Sequence, residues 1–187
     1  MRLFIATDLD AAAREEIAAL QWRLTRRAGD VSSPKWTKPE QMHLTLVFVG
    51  DADELLSAKL IVAMQKRPTQ AAFDLTFGRV GMFPPRGAPR VLWLGVGAGA
   101  APLTVLQREI AARVEALGIA LEPRPFHPHL TLARWRDSRP SDRRAFDELS
   151  DTDAVASVRV DHATLYRSQP SAGGSIYTPV ARVNLQP

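Results

Sequence analysis

The chain has 187 residues, enough for one compact unit or two small fused lobes and too few for a multidomain machine. Hydrophobic residues at 45% and charged residues at 24% are globular values, so a core can form and the collagen-like and low-complexity classes are excluded. With no cysteine, a disulfide framework, a thiolate nucleophile, Cys-ligated zinc and iron–sulfur clusters fall away; the net charge of +4 rests on twenty Arg beside four Lys, a usage that suits phosphate and that a GC-rich coding bias would equally produce.

Residues 2–9 form an apolar run with Phe4 and Ile5, which predicts a strand. Asp10 can cap a following helix in which Ile17, Leu20, Trp22 and Leu24 recur up to Arg27, with an end expected near Gly29. Residues 30–40 read as a loop with a short strand at Trp36, and 42–50 as a strand. Asp51 or Asp53 caps a second helix with an apolar stripe of Leu55, Leu56, Leu60, Val62 and Met64, stopped by Pro68. Strands at 73–83 and 90–96 are joined by Pro84-Pro85-Arg86-Gly87. A third helix carries Leu103, Leu106, Ile110, Val114 and Leu117 on one face, with Gly118 past its end. A strand at 126–135, a short helix at 141–149 and two long strands at 155–166 and 175–185 complete the chain, with a turn at 170–174.

Strands outnumber helices and hairpins recur, which argues for α+β rather than a parallel doubly wound sheet. No composition shift marks a linker, so two lobes around one cleft are expected. No apolar run approaches the roughly 18 residues of a membrane span. The apolar run before Asp8 is too short for a signal peptide, and with no Cys the cytoplasm is the expected compartment.

An exact repeat stands out: His43-Leu44-Thr45-Leu46 and His129-Leu130-Thr131-Leu132, which hold two of the four histidines. In a strand, His and Thr two apart share one face while the Leu pair points to the other. One copy would read as an ordinary surface or packed strand; two copies on matching elements can face a common cleft. Two imidazoles with reference pKa near 6.5 can share acid and base roles, one taking a proton from water and the other protonating a leaving oxygen. The two Thr hydroxyls, with backbone N–H groups or an Arg, can hold the non-bridging oxygens of a phosphodiester. A metal site is the rival use of these histidines, but no carboxylate pattern at ligand spacing accompanies them.

The chain resembles the RNA 2′,3′-cyclic phosphodiesterases, also called 2′-5′ RNA ligases, of the 2H phosphoesterase superfamily. The likeness runs from Arg2-Leu3-Phe4-Ile5-Ala6 through Trp36, residues 43–50, Phe83-Pro84 and Arg90-Val91-Leu92-Trp93, and is most specific at residues 126–134. It implies a bilobal α+β fold, residues 1–187 forming two intertwined, pseudo-symmetric lobes of mainly antiparallel strands around a central cleft. It also implies hydrolysis of RNA 2′,3′-cyclic phosphate ends to 2′-phosphates, without metal or cofactor, and a reverse 2′-5′ joining reaction. By the same resemblance His43 is the general acid, His129 the base, Thr45 and Thr131 bind phosphate oxygens, and Arg134 assists at the phosphate. Strict alternation places Arg134 on the Leu130 and Leu132 face, so it needs a bulge or twist to reach the cleft. A monomer is expected.

Other residues read as structural. His127 belongs to the strand entrance at Pro128, His162 to an alternating strand without a motif, and Trp36, Phe83 and Phe126 to the core, although each aromatic ring could stack on a base. Arg86 and Arg90, with Arg26, Arg27, Lys35 and Lys38, fit an RNA path or a solvated charged face. Two further functions remain open: a phosphodiesterase for 2′-5′ oligoadenylate, a cyclic nucleotide or ADP-ribose cyclic phosphate, and a noncatalytic RNA-end-binding module.

Overall fold

Asp10 caps the first helix as its position suggests, accepting from the Ala13 N–H at 2.8 Å. The computed structural model describes residues 1–27, 32–147, 154–171 and 174–187. In chain order the elements are β1 (Arg2–Asp8), α1 (Ala11–Arg27), β2 (Lys35–Trp36), a 3₁₀ turn (Pro39–Gln41), β3 (His43–Asp51), α2 (Glu54–Ala63), β4 (Phe73–Phe83), β5 (Val91–Val96), α3 (Ala100–Glu115), β6 (His129–Arg134), a 3₁₀ turn (Pro140–Arg143) running into α4 (Arg144–Asp147), β7 (Ala156–Val160), β8 (His162–Ser171) and β9 (Gly174–Asn184). The helix end near Gly29, the first loop residues, residues 148 and 149 of the short helix and the centre of the 170–174 turn lie outside the described residues.

Three expectations are corrected and one open choice is resolved. Residues 155–166 are two strands separated at Asp161, where the chain changes partners: Ala156–Val160 pair with β4, whereas β8 pairs with β1 and β9. The strand expected from Phe126 starts only at His129, because Pro128 has no N–H to donate. Asp53, not Asp51, caps α2, accepting from the Leu56 N–H at 2.7 Å. The stripe on α2 is only partly used: Leu60 and Met64 are buried, while Leu55 and Val62 stay exposed. Trp22 of α1 is likewise exposed, with the Arg26 guanidinium 4.8 Å over its ring.

Among the described residues nine strands form one sheet, ordered β7-β4-β5-β6-β3-β1-β8-β9, with β2 added on β6 and every named pair antiparallel. The order is near-symmetric about its centre. Strands from the two ends of the chain, β1, β3, β8 and β9, build one half, and the middle of the chain builds the other. Their meeting point is the β3–β6 pair, registered through Leu44 and Leu130. The sequence repeat thus becomes the central seam of the sheet.

Ala13, Ile17, Leu20 and Leu24 of α1, and Leu103, Leu106, Ile110 and Val114 of α3, recur every three or four residues and are buried in the same core as the inward residues of the strands. Gly99 starts α3 with φ of +84°, and a Cβ there would lie 2.4 Å from the Asp74 carbonyl oxygen. Gly99→Ala is therefore expected to cost about 2 kcal/mol or more. Urea unfolding checks this, and a loss below about 0.5 kcal/mol would contradict it.

Candidate active site

His43 and Thr45 of β3 and His129 and Thr131 of β6 are half-buried, while Leu44, Leu46, Leu130 and Leu132 are buried, as the alternation demands. The antiparallel pairing of Leu44 with Leu130 sets His43 across from Thr131 and Thr45 across from His129. All four polar side chains lie on one face, related by an approximate two-fold axis through the leucine pair.

Each strand then carries the same irregularity. In β3 the partners step from Ala6–Thr45 to Ile5–Val47, skipping Leu46; in β6 they step from Trp93–Thr131 to Leu92–Ala133, skipping Leu132. The bulge reverses the alternation, so Val47 and Ala133 are buried and Phe48 and Arg134 emerge. Arg134 thereby joins the face of His129, its Nη2 donating to Thr131 Oγ1 at 3.5 Å. The Leu132 carbonyl accepts from the Thr37 N–H at 2.8 Å and from buried Gln21 Nε2 of α1 at 3.0 Å. The first copy presents Phe48 at the same offset, 67% exposed.

The histidines are held alike. His43 Nδ1 lies 2.8 Å from the Gln41 carbonyl oxygen and His129 Nδ1 lies 2.7 Å from that of His127. A carbonyl only accepts, so Nδ1 carries the proton in each ring and Nε2 is left for chemistry. Phe4 packs on His43 at 4.8 Å between centroids, and Tyr177 meets it edge-on at 5.2 Å. Phe83 meets His129 edge-on at 5.1 Å, with Trp93 at 6.4 Å. Burial pushes both imidazoles below the usual histidine range. For His43 the Gln41 carbonyl and the Asp8 charge oppose that shift and Arg134 adds to it; for His129 the His127 carbonyl opposes it, and the His127 side chain and Arg134 add to it.

Beyond His43 lies a polar cluster that sequence reading missed. Asp8 accepts from His162 Nε2 at 2.8 Å, Thr164 Oγ1 at 2.9 Å and Tyr166 OH at 2.5 Å, with Arg182 Nη2 at 3.5 Å. Burial alone would raise the Asp8 pKa, but the hydrogen bonds from His162, Tyr166 and Thr164 outweigh it and bring the carboxyl down to about 2. His162, read from the sequence as an ordinary strand residue, donates through its other nitrogen to Asp161, and its pKa is raised, chiefly by the bond to Asp8.

Phe83, expected in the core, is thus a neighbour of His129, whereas Trp36 and Phe126 pack against the core. His127 is exposed, and its carbonyl holds His129. Arg90 is engaged with the Arg136 carbonyl. Trp93 lies against β4 because its partner Gly81 has no Cβ, an atom that would sit 2.2 Å from the indole. A cavity of about 540 Å³ opens beside Trp93 and His127, lined also by Arg79 and Gly95. Among the described residues no helix is long and apolar enough to cross a membrane.

The two His-x-Thr strands are thus joined antiparallel at the centre of one sheet. The chain belongs to the 2′-5′ RNA ligase superfamily, whose family model matches residues 9–171. A Methanothermobacter thermautotrophicus relative named RNA 2′,3′-cyclic phosphodiesterase is 33% identical over 182 residues, covering 95% of each chain. A Geobacillus stearothermophilus protein of the same name is 36% identical over 88% of this chain, which spans about half (51%) of that relative's length. Among solved structures, Escherichia coli LigT complexed with 3′-AMP superposes with a TM-score of 0.75 at 29% identity, covering 98% of this chain and 97% of that one. TT0787 of Thermus thermophilus superposes with a TM-score of 0.78 at 26% identity, covering 100% and 98%.

Proposed function

We propose that the chain is an RNA 2′,3′-cyclic phosphodiesterase that opens the cyclic phosphate at an RNA end to a 2′-phosphate, using His43 and His129 as an acid–base pair. The observation that carries this reading is the matched pair itself: two imidazoles, each with Nδ1 committed to a backbone carbonyl, on strands that meet at Leu44 and Leu130. The names of the relatives and the 3′-AMP bound to LigT support the same substrate class.

In this reading His129 Nε2 takes a proton from water as the water oxygen bonds to phosphorus. His43 Nε2 gives its proton to O3′ as the P–O3′ bond breaks, and O2′ keeps the phosphate. Thr45, Thr131 and Arg134 hold the non-bridging oxygens, where charge grows during displacement. Trp93 and its cavity offer a base a stacking face. The two intertwined lobes act as one unit, residues 1–187, because each supplies one His-x-Thr strand. With a 5′-hydroxyl in place of water the same displacement of O3′ forms a 2′-5′ linkage; in dilute solution water outcompetes it.

A short RNA ending in 2′,3′-cyclic phosphate, incubated with the protein in EDTA, tests the proposal. A phosphatase-sensitive product matching a 2′-phosphate standard supports it, and an unchanged cyclic end rejects it. Arg134→Ala is expected to lower kcat/KM by about a hundredfold, and Arg134→Lys to recover only part, because an ammonium cannot form the planar fork. Full activity in the Ala protein would remove Arg134 from the site.

A further inference from the structure

The pseudo-symmetry of the two histidines breaks at one position beside each. The Cα partner of His43 across the β1–β3 pair is Asp8, and that of His129 across the β5–β6 pair is Gly95. Cross-strand partners in an antiparallel pair present side chains on one face, so His43 has a carboxylate beside it where His129 has only backbone. The β1–β8 register, which pairs Arg2 with Ser168 and Ala6 with Thr164, continues to set His162 on the far side of Asp8. The 2.8 Å contact from His162 Nε2 to Asp8 agrees. His43, Asp8 and His162 thus form a row across three adjacent strands.

Asp8 is equipped to stay anionic. Its oxygens accept from Tyr166, Thr164 and His162, and Arg182 adds a cation at 3.5 Å. His162 meets a carboxylate at each ring nitrogen, Asp8 on one side and Asp161 on the other, which is the environment of an imidazolium. The groups that face His43 are Asp8 and Phe4 from β1, Arg134 from β6, Tyr177 from β9 and the Gln41 carbonyl. Arg134 acts on both histidines and favours the neutral form of each, so it does not tell them apart.

We propose that Asp8 is a positioning residue that breaks the symmetry of the pair: its carboxylate, on the cross-strand partner of His43, favours the charged form of that ring, which suits His43 to the acid role and leaves His129, beside Gly95, as the base. The proposal rests on the two-histidine reading above. Burial works against the proton that His43 has to deliver, and the Asp8 charge opposes that effect.

The test is an NMR pH titration of the histidine ring protons in the full chain, wild type and Asp8→Asn. It runs alongside kcat on a 2′,3′-cyclic nucleotide from pH 5 to 9. The His43 midpoint is expected to fall by about one pH unit in Asp8→Asn while the His129 midpoint stays in place. The rate deficit should grow with pH and approach about tenfold by pH 8, because the acid form of His43 is lost earlier as pH rises. An unmoved His43 midpoint with the same rate deficit at every pH would give Asp8 a purely structural role and overturn the proposal.

If Asp8→Asn does not fold, His162→Gln decides. His162 shares the Asp8 carboxylate with His43, so its replacement unmasks that charge and should raise the His43 midpoint, and an unchanged midpoint rejects the coupling. A wild-type protein that turns over no cyclic phosphate would remove the function proposed above, whereas the midpoints judge the Asp8 coupling separately.

Discussion

His43→Ala and His129→Ala are each expected to stay folded and to lose about a thousandfold or more in kcat. The double variant should fall little further, because an acid and a base that act in one step fail together. Circular dichroism and a thermal melt check folding, and single-turnover hydrolysis of a cyclic-ended RNA checks the rate. A single variant within tenfold of wild type would end the two-histidine mechanism.

The pH profile belongs to the same prediction. A base has to be neutral and an acid protonated, so kcat/KM follows a bell centred midway between the two pKa values of the free enzyme. Burial lowers both imidazoles, which places the optimum of kcat/KM below about pH 6.5. The bound phosphate anion favours both imidazolium forms, so the optimum of kcat should lie at higher pH than that of kcat/KM. An optimum of kcat/KM above pH 8 would contradict the environment described for the pair.

Leu44→Ala and Leu130→Ala are each expected to cost about 2–5 kcal/mol, the range for emptying a close-packed leucine site. The two side chains are 1% and 0% exposed and sit where the halves of the sheet are registered. A cavity there removes packing from both halves and loosens the spacing between His43 and His129. The paired variant should cost less than the sum, since neighbouring truncations share one cavity. Urea unfolding measures the stability term. Losses below about 1 kcal/mol would mean that the seam contributes little to the union of the two halves.

Much of the fold was legible because the relevant signals are local. Phe73–Phe83 has the bounds expected of it, α1 and α3 follow their leucine and isoleucine spacing, and Asp10 caps α1. The break at Asp161 was not legible, because one polar residue in an alternating run looks the same whether the strand continues or turns away. Arg134 was ambiguous for a related reason. Leu46-Val47 and Leu132-Ala133 are apolar in either phase, so the pattern cannot say that a bulge falls there, and only the partner strands reveal the skipped residue. On α2, hydrophobicity was visible but burial was not: Leu55 and Val62 stay exposed.

The sequence by itself determined the chemistry on offer: two His-x-Thr strands, no thiol, an Arg five residues past the second histidine, and elements regular enough to hold them. Tertiary structure alone decided what those groups meet. It brought positions 43 and 129 to one seam, set Phe4, Tyr177, Phe83 and Trp93 around the rings, and placed Asp8 beside one histidine and Gly95 beside the other. The physical reason is range. Alternation, helical spacing and caps act over a few residues, whereas burial and charge act through space, and Asp8 meets His162 across 154 positions of chain that no local pattern spans.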